Sequence, residues 1–305
     1  MSFFPGKDPA LGDARASDAI EQVIVPRSID LGDFRVHRAL PSAEPRMVGP
    51  FILFDHAGPA VLRAGNGVDV RPHPHIGLAT VTYLFDGEVL HRDSLGTATP
   101  IRPGAVNLMI AGRGIVHSER SAPERRASGD KLHGLQLWVA LPAASEEAAP
   151  VFAHTSAADI PELSENGMTL RVILGTMHRL RSPAATSWDT LFADAHLKAG
   201  TGLPLDAEHE ERAIYVLAGD IEIGGERYGP EQLLVLRPGD PVFARAVSDA
   251  HIAVIGGAAM DGPRHIWWNF VSSRKDRIEA AKADWKAGRF DVVPGDTVEF
   301  IPLPS

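Results

Sequence analysis

Gly67-Val-Asp-Val-Arg-Pro-His73-Pro-His75-Ile-Gly-Leu-Ala-Thr80-Val-Thr-Tyr83-Leu-Phe-Asp-Gly87 carries two signals in one run. Its second half, from Ala79 to Phe85, is rich in β-branched and aromatic residues and closes on Asp-Gly, as a strand ending in a turn does. Its first half sets two histidines at i and i+2, and in extended chain such residues project to the same face. Similar runs recur at Leu135-Gln-Leu-Trp-Val-Ala140, Leu170-Arg-Val-Ile-Leu174, Ala213-Ile-Tyr-Val-Leu217 and Leu233-Leu-Val-Leu236, mostly bounded by Gly, Pro or Asp. With 29 glycines and 24 prolines spread along the chain, this punctuation predicts an all-β protein of many short strands. One helix is predicted from Arg274 to Ala287, capped by Ser273 and ended by Gly288, with Ile278, Ala281 and Trp285 on its packed face.

Part of the opening stretch returns later in the chain. Tyr83-Leu-Phe-Asp-Gly87-Glu-Val aligns with Tyr215-Val-Leu-Ala-Gly219-Asp-Ile, and Ile101-Arg-Pro-Gly104 with Leu236-Arg-Pro-Gly239, at nearly the same offset. A duplicated small β-barrel accounts for that repeat. The break is expected between Pro142 and Pro161, where Ala-Ala-Ser-Glu-Glu-Ala-Ala-Pro lacks strand character. The predicted division is an N-terminal barrel over 1–142, a linker over 143–162, and a C-terminal barrel with its helix over 163–305.

Composition narrows the chemistry. At 305 residues there is material for about two domains. The absence of cysteine excludes disulfide frameworks, thiolate metal sites and cysteine nucleophiles, so any metal falls to His, Asp or Glu, and there are 13 histidines. A net charge of −9 disfavours direct nucleic-acid binding. The N-terminal MSFFPGKDPALGDARASDAIEQ has no apolar core of a secretory signal, and no apolar run approaches the ~18 residues of a membrane span, so a cytoplasmic protein is expected.

His73 and His75 are followed by His117-Ser-Glu119, a second same-face pair. Three imidazoles and one carboxylate suit Fe(II), Mn(II), Ni(II), Cu(II) or Zn(II), with open positions on an octahedral ion. Pro74 has no ladder N–H to give and is tolerated at a sheet edge or barrel rim. The spacing Gly67, His73, His75, Thr80, Gly87 resembles the first cupin motif, with Thr80 where that pattern has its glutamate ligand. Gly112-Arg-Gly114-Ile-Val-His117 resembles the second motif, and Glu119 returns the missing carboxylate from the other strand.

Longer segments resemble the pirin family, including bacterial members described as quercetin 2,3-dioxygenase-like. They are Phe51-Ile-Leu-Phe-Asp-His56-Ala-Gly-Pro, the run from Arg71 to Glu88, His91-Arg-Asp-Ser-Leu-Gly96, the run from Ala111 to Glu119, Gly134 to Pro142, His265 to Ser273, and Gly295 to Pro302. The resemblance implies two cupin-type β-barrels, a bicupin, with iron in the N-terminal barrel held by His73, His75, His117 and Glu119. It implies two activities to weigh. One is O₂-dependent cleavage of a flavonol-like aromatic substrate at Fe(II), with Glu119 also the candidate base. The other is an iron-dependent redox sensor that binds transcription factors or metabolic enzymes. A monomer is the default.

The second copy has Leu205 and Ala207 where the first has His73 and His75, and a metal-free C-terminal barrel is expected. His209 and His251 lie nearby without a partner at ligand spacing. Glu208-His-Glu-Glu-Arg212 is expected as a solvated strand end. His91 and Asp93 are expected to form a polar corner that orders a loop, and His56 a loop hydrogen bond. Gln136 and Asn107 are expected in strands of the metal barrel, and Trp267 and Trp268 in packing.

Overall fold

The computed structural model describes residues 19–304. Most of the N-terminal segment read above for a secretory signal therefore lies outside the described residues. Among those described, no helix is long and apolar enough to cross a membrane. The fold is all-β, a bicupin with a short C-terminal helix. Contacts gather the chain into two units, and each combines a seven-stranded with a four-stranded sheet.

One unit holds residues 27–41, 51–160 and Met260 onward. Its large sheet runs Val151–Thr155, Val106–Ile110, Leu78–Gly87, Asp130–Ala140, Phe51–Leu62, Arg35–Leu40, Arg27–Asp30. Its small sheet runs Asp69–His75, Ile115–Arg120, Val89–Asp93, Ala98–Ile101. These ladders are antiparallel, so period-2 alternation decides what each strand turns inward. Thr82 and Leu84, Gln136 and Trp138, and Leu53, Asp55 and Ala57 all line one cavity of about 190 Å³, together with His73, His75 and Glu119.

The other unit holds Ser42–Pro50 and Pro161–Ala259, together with the N-terminal strand Ile20–Ile24. Ile20–Ile24 pairs with Gln232–Leu236. The core is apolar: Leu205, matching His73 of the first copy, is buried among Leu203, Ile214, Val216, Leu234, Val242 and Ile252. The charged run Glu208–Arg212 is not simply solvated. The guanidinium of Arg212 is buried and donates to the carbonyls of Asp206, Arg237 and Asp240, and Glu211 accepts from the Gly49 amide at 2.6 Å.

The structure divides the chain differently from the contiguous halves read in the sequence. Residues 143–162 are not a free linker, since Val151–Thr155 is an edge strand beside Val106–Ile110 and Glu146 is buried. Glu146 accepts from the Ser273 amide at 2.7 Å and from the hydroxyls of Ser272 and Ser273, and pairs with the buried Arg264 at 3.0 Å. The C-terminal helix, Lys275–Lys286, belongs with the first barrel, because Ile278 and Ala281 pack with Ile76 and Phe270. Trp267 and Trp268 pack there too. Ser273 does not cap the helix; its hydroxyl is spent on Glu146, whereas Gly288 does close it at φ 66°. Gly77, at φ 67°, is required where this segment docks: a Cβ there would lie 2.0 Å from the Val271 carbonyl oxygen. The tail is tied by Arg120 to Asp296 at 2.7 and 2.9 Å, and by the Ile301 amide to the Pro72 carbonyl.

Glu146→Ala removes one of the two carboxylates on the buried Arg264, leaving Asp261, and takes the acceptor from the Ser273 amide and from the Ser272 and Ser273 hydroxyls. Loss of about 1–3 kcal/mol of stability is expected, measured by denaturant unfolding; a loss below ~0.5 kcal/mol contradicts this role.

Candidate metal centre

Register places the predicted donors. Strand Ile115–Arg120 lies between Asp69–His75 and Val89–Asp93, with His117 opposite His73 on one side and Asp93 on the other. A β-bulge between His117 and Glu119 shifts the pairing, so Glu119 stands opposite Val70. The nitrogens of His73, His75 and His117 come within 4.8 Å of one another, and all three residues are buried. The carboxylate of Glu119 is outside that group. It lines the same cavity and accepts from Thr82 Oγ1 at 3.4 Å and Gln136 Nε2 at 3.5 Å.

Electrostatics favour electron-pair donors. Burial pulls the His73 pKa down to about 4, and burial with the neighbouring imidazoles holds His75 and His117 well below the ordinary value. His73 Nδ1 lies 2.8 Å from the Arg71 carbonyl, so it donates there and leaves Nε2 as the donor of an electron pair. His75 Nε2 and His117 Nε2 face each other at 3.0 Å, a contact that needs a proton or a cation between two lone pairs. Among the described residues His75 Nδ1 is buried without a well-formed hydrogen bond, and the ring has a backbone contact with Asn269. These residues therefore fit a metal ion. Burial raises the Glu119 pKa, opposed by His91 and by the bonds from Thr82 and Gln136.

A family model described as Pirin matches residues 33–139, and one described as the pirin C-terminal cupin domain matches residues 192–291. The chain belongs to the pirin family. A pirin-like protein of Caulobacter vibrioides is 46% identical over 289 residues, covering 94% of this chain and 100% of that one. The pirin of Homo sapiens is 30% identical over 266 residues, 83% of this chain and 86% of that one. The crystal structure of a quercetin 2,3-dioxygenase from Acinetobacter baumannii is similar at TM-score 0.88 and 32% identity, covering 95% of this chain and 97% of that one.

Within this pirin fold the remaining expectations separate. His91 Nε2 and Asp93 Oδ2 are 3.0 Å apart, and Asp93 Oδ1 accepts from the amides of Leu95 and Thr97, so the pair does order its loop. His91 also reaches His117, with the two Nδ1 atoms 3.4 Å apart, which spacing along the sequence did not reveal. His56 is in a strand, not a loop, and is 3.0 Å from His133. Its neighbour Asp55 takes the cavity side, held by Arg38 at 2.7 and 2.6 Å, with its pKa raised by burial against that pairing. Gln136 lines the cavity and accepts from Thr82 at 2.7 Å, while Asn107 accepts from His154 at 2.6 Å. Trp138 was missed by sequence reasoning. Its ring stands edge-on to His75 at 5.2 Å, and parity with Gln136 is the signal that finds it. In the other unit His251 has partners after all: Asp194 at 2.6 Å, and His196, stacked at 3.9 Å. They come together across the Thr190–Leu197 and Ala250–Gly257 ladder, which pairs His196 with His251.

The buried imidazoles give the metal-free pirin a pH-dependent stability. Above pH 6.5 folded and unfolded chains both hold His73 neutral. Between 6.5 and about 4 only the unfolded chain takes up the proton, so stability falls as pH drops, by on the order of 3 kcal/mol from His73 alone. Urea midpoints of chelated protein at pH 7 and pH 4.5 should show this fall, and equal midpoints contradict it.

Proposed function

We propose that this pirin holds one metal ion, Fe(II) by preference, on His73, His75, His117 and Glu119, and cleaves a flavonol-like substrate with O₂. The observation that carries the reading is the convergence of three buried imidazoles, held toward their neutral form, two of which, His73 and His75, line a largely apolar cavity. The likeness to the Acinetobacter baumannii quercetin 2,3-dioxygenase supports it. The same donor set accepts Mn, Ni, Cu or Zn.

The chain's own residues have separable tasks in this reaction. A cavity of about 190 Å³ is of the order of one that holds a single aromatic ring, so it takes the hydroxy-ketone end of a flavonol and leaves the rest toward the mouth. Phe34, Val36, Leu53, Leu132 and Trp138 bury that end and exclude water. Glu119, whose burial strengthens its hold on a proton, accepts the proton of the substrate hydroxyl, and Thr82 and Gln136 hold its carboxylate in place. The bound metal supplies the path by which electron density passes between substrate and O₂. Aerobic loss of flavonol absorbance tests the proposal. It should need O₂ and stop on chelation, and persistence after chelation overturns it. Metal binding without turnover, joined to redox-dependent capture of a protein partner, would favour the regulatory reading instead.

A further inference from the structure

We propose that Asp93 acts as a positioning residue for the metal centre: through His91 it fixes which nitrogen of His117 carries the proton, leaving His117 Nε2 as an electron-pair donor. The inference rests on the reading of His117 as a ligand, and it concerns two residues that touch no metal. Asp93 is fully buried, and its two oxygens have separate duties. Oδ1 accepts from the amides of Leu95 and Thr97 at 2.9 and 3.1 Å, while Oδ2 lies 3.0 Å from His91 Nε2. An ionised carboxylate can only accept, so His91 Nε2 must carry a hydrogen. When the ring is neutral its one proton is on Nε2, so His91 Nδ1 is a lone pair, and it faces His117 Nδ1 at 3.4 Å. His117 must donate across that contact. Its own lone pair is left on Nε2, the atom 3.0 Å from His75 Nε2.

Backbone register and packing hold this order. His91 and Asp93 occupy alternate positions of Val89–Asp93, the strand that pairs Asp93 with His117. The His91 ring stacks on Phe152 at 4.6 Å and 20°, which limits its rotation. His73 has its proton fixed by the Arg71 carbonyl. Among the three candidate ligands, His117 is the one whose proton is set by a carboxylate acting through a second imidazole.

Asp93→Asn separates this role from loop ordering. The asparagine carbonyl still accepts from Leu95 and Thr97, and turning it round would set an NH₂ group against two amide donors. Its NH₂ therefore faces His91 Nε2 and demands a lone pair there. The proton moves to His91 Nδ1, and His117 is left protonated on Nε2, where a metal must bind.

Long-range ¹H–¹⁵N NMR of the metal-free protein reads these tautomers directly. Wild type should show His91 protonated at Nε2 and His117 at Nδ1, and D93N should show both reversed. Zn(II) titration should find D93N about 10–100-fold weaker than wild type, with little further loss when D93N is placed in a His91→Phe background. His91→Phe, which keeps a ring against Phe152, should leave His117 with mixed tautomers, and it tests the link should D93N fold poorly. Unchanged tautomers in D93N, a single Nδ1-protonated His117 in His91→Phe, or an equal loss of affinity from D93N in both backgrounds overturns the proposal. If instead His117→Ala binds Zn(II) like wild type, the ligand reading fails while the tautomer relay stands on its own measurement.

Discussion

His117→Ala is expected to reduce metal bound per chain to near zero after gel filtration, while wild type retains close to one. The loss should exceed the 10–100-fold that removal of an outer hydrogen-bond partner costs, since a donor atom itself is gone. His117 is the hinge of the cluster: it is 3.0 Å from His75 Nε2, its ring is 4.4 Å from that of His73, and its other face meets His91. Removing it also leaves His91 Nδ1 buried without that contact, so a cost of about 1–3 kcal/mol in stability of the metal-free protein should accompany the loss. Inductively coupled plasma analysis and urea unfolding of the same preparations measure the two effects. A variant that keeps one metal per chain removes His117 from the site.

Glu119→Gln should separate binding from turnover. Gln is isosteric and keeps an oxygen for Thr82 and Gln136 to bond, and the three imidazoles remain. It cannot take up a proton at neutral pH. Flavonol turnover is expected to fall by about 10²–10⁴-fold, the range that loss of a positioned general base produces, while substantial metal is retained. Steady-state assays beside metal analysis measure this. Turnover within about threefold of wild type would exclude Glu119 as the base and leave it, at most, a ligand.

The convergence of His73, His75 and His117 was legible because strand parity is local. His-x-His and His-x-Glu need only extended chain to turn both members of each pair one way, and the pairing of the two strands then follows from the barrel. Glu119 shows the limit. A bulge after His117 shifts its register against Asp69–His75, and its carboxylate, on the cavity that His73 and His75 also line, accepts from Thr82 and Gln136. The repeat of Tyr83–Val89 in Tyr215–Ile221 made the duplication visible. What it could not show was exchange of terminal segments: Ile20–Ile24 pairs with Gln232–Leu236, and the helix Lys275–Lys286 packs on Ile76. Such docking depends on contacts far apart in sequence, Glu146 with Arg264 and Arg120 with Asp296 among them. Polar, alanine-rich composition at 143–150 read as a linker because the one buried carboxylate in it has no local signature. The same holds for His196 and His251, which only a cross-strand register brings together.

Oxygen uptake tests the placement of the reaction most directly. Protein purified anaerobically, loaded with Fe(II) and given a flavonol in an oxygen electrode should consume O₂ in step with loss of flavonol absorbance. Chelation should stop uptake, reloading should restore it, and His117→Ala should show none above free Fe(II). Flavonol-dependent uptake that is unchanged by chelation and by His117→Ala would contradict the placement of the reaction at His73, His75, His117 and Glu119.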